Sequence, residues 1–220
     1  MSGTQLSSSV LTIAHLTRLI EACINNAGRQ CCRTMLCAVF IVLSNACNSD
    51  KQWQLYDISD HMPDLNFSLK SGTEQAVTEQ SCQGYLVLLF FGFTHCHTEC
   101  PTTLFRLTKI VQGLGEQAHG TRILFITLDP SRDTPSVMQR YLSGFDAEHA
   151  LGLTGNEADI ESLAKRYRIA YRQGKPDDDD IMHSSIAYVF DRQGHARLII
   201  TPNDSIGMAV EDLLRLMALT

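Results

Sequence analysis

Cys96 and Cys100 are the side chains of this sequence best suited to chemistry. They bracket His97, Thr98 and Glu99, and Pro101 follows directly. A thiolate is both a nucleophile and a soft metal ligand. A close pair can therefore close a disulfide or share a metal ion. Both depend on the local backbone. Upstream, Tyr85 to Phe91 is an apolar run without a charge, which suits a strand buried on both faces. It stops at Gly92, and a short polar turn follows. Downstream, Leu104, Leu107, Ile110, Val111 and Leu114 recur at helical spacing. Proline is tolerated in a first helical turn, where its missing N–H would have no partner anyway. The pair thus sits where a buried strand becomes a helix. With Cys100 in the first turn, Cys96 lies about one turn earlier, close enough to pair with it. The free N–H groups and partial positive charge of a helix start favour thiolate there.

The elements that must position this pair follow on either side. Leu65 to Leu69 alternates apolar and polar, which predicts a half-exposed strand, and Ser71-Gly72 signals a turn. Tyr85 to Phe93 is the central strand and Cys100 to Leu114 the first long helix. Arg122 to Leu128 is a second buried strand, closed by Asp129-Pro130. Thr134 followed by Pro135 starts a helix, a capping hydroxyl before a first-turn proline. Met138, Tyr141, Leu142 and Phe145 line its apolar face. Gly152 to Gly155 is read as a loop. Ile160, Leu163, Ala164 and Tyr167 mark a further amphipathic helix. Ser184 to Asp191 and Ala196 to Ile200 are two strands joined by Arg192-Gln193-Gly194-His195, a hairpin signal. Val210, Leu213, Leu214 and Met217 belong to a C-terminal helix. The order predicts an α/β domain, a central mixed sheet flanked by helices, as in thioredoxin-like folds. In such sheets sites form at the carboxyl ends of strands, where the cysteine pair lies.

Composition narrows the class. A chain of 220 residues with 44% hydrophobic content supports one full core. The net charge of −6, from 18 basic and 24 acidic residues, leaves no basic footprint for nucleic acid. Of the eight cysteines, Cys23, Cys31, Cys32, Cys37 and Cys47 precede the patterned region, so cysteine is not a scaffold for the fold. Cys82 is a small apolar filler or a surface thiol. Residues 1–50 read as a leader, and 51–220 as the folded domain, with Lys51 to Pro63 a polar linker. Met35 to Leu43 is nine residues long, too short to span a bilayer core of about 30 Å. It suits the apolar region of a signal peptide, with Arg29 and Arg33 before it. Ser44, Asn45 and Ala46 lead into Cys47 as in a lipoprotein processing site, although Ser44 stands where an apolar residue is expected. The alternative is an uncleaved leader. The long segment before the apolar run points either to a start downstream of Met1 or to an atypical leader.

Four stretches, FFGFTHCHTECPTTL (Phe90 to Leu104), LDPSRDTP (Leu128 to Pro135), LTGNEADIESLAKRYRI (Leu153 to Ile169) and MHSSIAYVFDRQG (Met182 to Gly194), resemble the Sco/SenC family. These are thioredoxin-fold proteins that bind copper and serve cytochrome c oxidase assembly. The resemblance spans roughly Met62 to the C-terminus. One departure bears on loop stiffness and metal preference: His97 stands where the family usually has proline. The resemblance implies a copper site of Cys96, Cys100 and His183, with Cys96 and Cys100 also a redox-active disulfide. Two thiolates and an imidazole suit Cu(I), and hold Cu(II) with a further ligand. It implies a metallochaperone for the copper-site subunit of cytochrome c oxidase, with a thioredoxin-like reductant or other copper chaperones as further partners. Its place would be the bacterial envelope, anchored to the inner membrane through the leader and facing the periplasm. Two enzyme readings stand beside it. One is a thiol–disulfide oxidoreductase acting on the cysteines of a copper-site partner. The other is a thiol peroxidase, which would need neither His183 nor a close pair.

Each residue also has a plainer role open to it. Cys96 and Cys100 could be a disulfide without metal, and His183 a cap on the strand after it. His95 and His97 are turn residues, or one supplies a further ligand. Asp129, Arg132 and Asp133 shape the site from behind or simply cap the Pro135 helix, the reading favoured here. Asp177 to Asp180 form a solvated acidic loop, or draw a cation or partner towards His183.

Overall fold

The computed structural model describes residues 52–72, 75–171 and 185–220. The expected leader over 1–50, with Met35 to Leu43 and Cys47, lies outside the described residues. So do Asp177 to Asp180 and His183.

Among the described residues six strands form the main sheet: β1 (Tyr56–Asp57), β4 (Leu86–Gly92), β5 (Thr121–Thr127), β6 (Ala150–Leu153), β7 (Ala187–Phe190) and β8 (Ala196–Ile200). Their order across the sheet is β1-β8-β7-β4-β5-β6. β4 and β5 run parallel, as do β5 and β6, while β7 is antiparallel to both β4 and β8. β4 lies in the middle, and every one of its residues is buried, as an unbroken apolar run requires. β2 (Ser68–Lys70) and β3 (Ala76–Thr78) form a separate hairpin. Leu65, Phe67 and Leu69 point into the core and Asn66 and Ser68 outward, so the expected alternation holds while strand pairing begins only at Ser68.

Among the described residues four α-helices cover the sheet: α1 (Glu99–Gly113), α2 (Pro135–Leu142), α3 (Glu157–Arg166) and α4 (Ile206–Leu219). Local chemistry sets their starts. Thr134 accepts a hydrogen bond from Val137 N and Pro135 opens α2. Asn156 and Ser205 cap α3 and α4 in the same way. α3 also carries Glu157 and Asp159 in its first turn and Lys165 and Arg166 in its last, matching its dipole. The β7–β8 turn is held by Asp191, which accepts from Gln193 N and His195 N, and Gly194 supplies the positive φ of 87°.

Two expectations are corrected. Gly152 to Gly155 is not wholly a loop, because Ala150–Leu153 pairs with β5 as an edge strand. The strand is short, and its glycine hides it: a Cβ on Gly152 would lie 3.0 Å from Met138 Cβ and from Leu142 Cδ1 of α2. Lys51 to Pro63 is not simply a linker either. Buried Asp212 of α4 accepts from Gln54 N (2.7 Å) and Leu55 N (2.8 Å), which seats β1 beside β8. Among the described residues no helix is long and apolar enough to cross a membrane.

Candidate metal centre

The end of β4 fixes the place of the cysteine pair. Leu128 N donates to Gly92 O (2.7 Å), so the exit of β5 is tied to the exit of β4. The chain then turns through Thr94 and His95, and Cys96 N donates to Phe93 O (3.3 Å). α1 begins at Glu99, which puts Cys100 in its first turn. Cys100 N points back and donates to Cys96 Sγ (3.3 Å). The structure therefore brings the two cysteines together at the carboxyl end of the central strand. Both are thiols, not a disulfide. Cys96 is half-buried and Cys100 fully buried.

Gly92 is part of this arrangement. A Cβ there would stand 2.8 Å from Cys100 Sγ and 2.6 Å from Phe125 Cε2. The missing side chain is thus the space that the Cys100 sulfur occupies. Tyr141 of α2 packs its ring on Phe125 (5.8 Å between centroids). Its buried hydroxyl has no hydrogen-bond partner among the described residues.

The loop has a polar support that sequence reasoning undervalued. Asp133 is fully buried. Its Oδ2 accepts from Thr94 N (3.0 Å) and Thr127 Oγ1 (2.6 Å), and its Oδ1 accepts from Thr94 Oγ1. This carboxylate fastens the turn before Cys96 to the end of β5. It does not cap α2, whose N-cap is Thr134. Asp129 and Arg132 behave as turn residues: they pair with each other, and Ser131 donates to Asp129 Oδ1 (2.8 Å). His95 is half-exposed at 44%, with Nδ1 3.7 Å from Asp133 Oδ1. His97 is exposed. Cys82 is buried, which makes it the apolar filler.

Electrostatics at Cys100 run against the expected effect of the helix start. Burial pushes its thiol well up from the ordinary cysteine range. A bond to the Phe93 backbone pulls the other way, while Cys96 and Asp133 add to the rise. Desolvation is the largest influence on this thiol. Tyr141 is pushed up for the same first reason, burial, with Cys100, Cys96 and Asp133 contributing.

Beyond the pair, Ser185 Oγ donates to Glu99 Oε2 (3.1 Å), beside Cys100 in sequence. The chain entering β7 therefore passes the start of α1. A model of the SCO1/SenC family matches residues 59–218. The chain belongs to the SCO1/SenC family. An SCO2-like protein of Rickettsia felis is 37% identical over 133 residues, 59% of this chain and 64% of that protein. The chain thus spans just under two thirds of that relative's length. The structure of Bradyrhizobium japonicum ScoI with copper bound is 35% identical, with a TM-score of 0.63 over 70% of this chain and 98% of that one. Yeast Sco1 with copper bound is 29% identical, with a TM-score of 0.65 over 72% and 91%. The thioredoxin-like Sco fold is therefore the fold of this SCO1/SenC protein, and solved relatives of it hold copper.

Proposed function

We propose that this SCO1/SenC protein binds copper through Cys96, Cys100 and His183 and passes it to the copper centre of cytochrome c oxidase. The observation that carries this is the contact of Cys100 N with Cys96 Sγ at 3.3 Å, in the cradle left by Gly92. Two adjacent sulfurs in a largely apolar pocket are a soft donor set, which fits Cu(I). When bound, copper would be cargo rather than a resident cofactor. His183 stands two residues before Ser185, a span of at most about 7 Å of chain. The Ser185–Glu99 contact thus supports its joining the pair. A solved member of the Sco family belongs to the cytochrome c oxidase assembly proteins, and membership of this family supports that role here. The leader would hold the domain at the envelope membrane, with Cys47 as the lipidated residue.

The same geometry favours a second reading, a thiol–disulfide oxidoreductase. Here the half-exposed Cys96 attacks a partner's disulfide. Buried Cys100 then resolves the mixed disulfide, so the protein is oxidised to Cys96–Cys100 as the partner is reduced to two thiols. Copper and redox chemistry are linked, because a disulfide no longer offers two thiolates.

The full chain, loaded with copper in reduced and in disulfide form, tests the reading. The reduced form should hold about one ion and the oxidised form none; equal retention would overturn it. His183→Ala should abolish the Cu(II) absorption and weaken Cu(I) far less, since two thiolates alone hold Cu(I). An unchanged Cu(II) spectrum removes His183 from the site.

A further inference from the structure

The opposite end of the parallel strands carries a second group of donors. His119 lies in the 3-10 turn Gly115–Gly120 that enters β5. Glu148 and His149 immediately precede β6. Parallel pairing of β5 with β6, with Ile123 N donating to His149 O (2.9 Å), brings these strand entries side by side. His119 Nδ1 is then 3.2 Å from Glu148 Oε1, and His149 Nε2 is 3.8 Å from the same oxygen. One donor atom from each of the three side chains lies within 4.8 Å of the others.

His149 is prepared for a ligand rather than for water. Its side chain is only 12% exposed. Nδ1 lies 2.9 and 3.0 Å from the two oxygens of Asp146, which can only accept, so Nδ1 carries the hydrogen. In the neutral ring the lone pair is then on Nε2. That atom is covered and has no hydrogen-bond partner among the described residues. A buried acceptor without a donor is costly. A carboxylate behind the far nitrogen of an imidazole is also the usual support of a metal-binding histidine. Asp146 itself is held in place by Glu148 N and His149 N.

We propose that His119, Glu148 and His149 bind a divalent borderline cation, Zn²⁺ or Cu²⁺, independently of the cysteine pair. Two imidazoles and one carboxylate suit these ions. They suit Cu(I) less well than the sulfur end does, and Ca²⁺ and Mg²⁺ prefer all-oxygen ligands. Tetrahedral zinc with bonds of about 2.0 Å needs donors about 3.3 Å apart. His119 and Glu148 are exposed, at 79% and 66%, and are free to close the remaining gap onto His149. A bound ion would staple the turn before β5 to the turn before β6, so it raises stability by mass action.

The test uses the full chain carrying Cys96→Ser and Cys100→Ser, which removes the soft site. It is titrated with Zn²⁺ against a competing chelator, and with Cu²⁺ in parallel. Ring signals of His119 and His149 are followed by NMR. We expect about one Zn²⁺ per chain and a shift of both histidine rings. The melting temperature should rise with added Zn²⁺. His119→Ala and Glu148→Gln, both at exposed positions, should lower the affinity at least tenfold and abolish the thermal shift. Asp146→Asn should lower it about 10- to 100-fold. No Zn²⁺ and Cu²⁺ binding would show the three residues to be a surface ion pair beside a covered histidine, and overturn the proposal. Binding undiminished in His119→Ala and Glu148→Gln would do the same.

Discussion

At the carboxyl end of β4 the donors are sulfur: Cys100, buried against Gly92 beside Phe125, and the half-buried Cys96. At the amino ends of β5 and β6, a strand length of about 20 Å away, they are imidazole and carboxylate, and two of the three are exposed. The first region is built by packing: one missing side chain makes room for Cys100, and one buried carboxylate holds the loop. The second is built by pairing: two strand entries are aligned, and Asp146 orients one ring. A cradle that excludes water suits a soft ion. Imidazole and carboxylate donors, two of them exposed, suit a divalent one. The same sheet thus offers two donor classes that need not compete.

The comparison can be broken first at its polar support. Asp133→Ala removes the acceptor of three hydrogen bonds and leaves unpaired a buried donor on Thr127 and two part-buried donors on Thr94. The expected cost is about 3 kcal/mol in urea unfolding, together with a loss of Cu(I) affinity of at least tenfold; Zn²⁺ at the far end should be untouched. A cost under about 1 kcal/mol would mean the carboxylate is not the fastening of the loop.

Gly92→Ala comes next. Its methyl group would meet Cys100 Sγ and the Phe125 ring, so it should cost about 2 kcal/mol by overpacking and weaken Cu(I) binding. A variant that melts and binds like the parent would contradict the cradle.

Alkaline pH sharpens the contrast through the buried end. Burial pushes Cys82, Cys100, Tyr141, Tyr167 and Tyr188 up. Each folded group keeps its proton longer than its unfolded counterpart. The stability this represents is fully present below the unfolded values, about 8.5 for thiols and 10 for phenols, and is lost as pH rises through and beyond them. The melting temperature of the metal-free protein should therefore fall steadily from pH 8 to pH 10.5. A flat profile would contradict the burial of these groups.

The smallest effect is expected at His95. The ring is half-exposed and 3.7 Å from Asp133 Oδ1, so His95→Ala should cost less than about 0.5 kcal/mol and leave copper binding unchanged. A lost Cu(II) band would instead make His95 a ligand.

The cysteine end was legible in the sequence because its signals are local. An apolar run, a glycine, a close cysteine pair and a first-turn proline lie within one short stretch, and each has a backbone meaning. The helix starts at Thr134, and the β7–β8 turn, were legible for the same reason. Asp133 was harder: its position near a helix start suggested a cap, while its partners Thr94 and Thr127 come from two strand ends. The second donor group was invisible. His119 and His149 are far apart in sequence and meet only through β6. That strand is short and carries Gly152 for the close approach of α2, so it reads as a loop. Without β6 there is no register to set the two histidines side by side. The depth of burial at Cys100 was hidden for another physical reason: the sequence shows the helix start, and only packing shows how far the sulfur lies from water.

The central claim is that the two thiols hold copper, and Cu(I) stoichiometry tests it most directly. The full chain, reduced and kept anaerobic, is titrated with Cu(I) against a chelating probe, beside Cys96→Ser, Cys100→Ser and His119→Ala. About one tightly held Cu(I) per chain is expected for the parent and for His119→Ala. Both serine variants should lose at least two orders of magnitude in affinity. Full retention of Cu(I) by either serine variant would contradict the account.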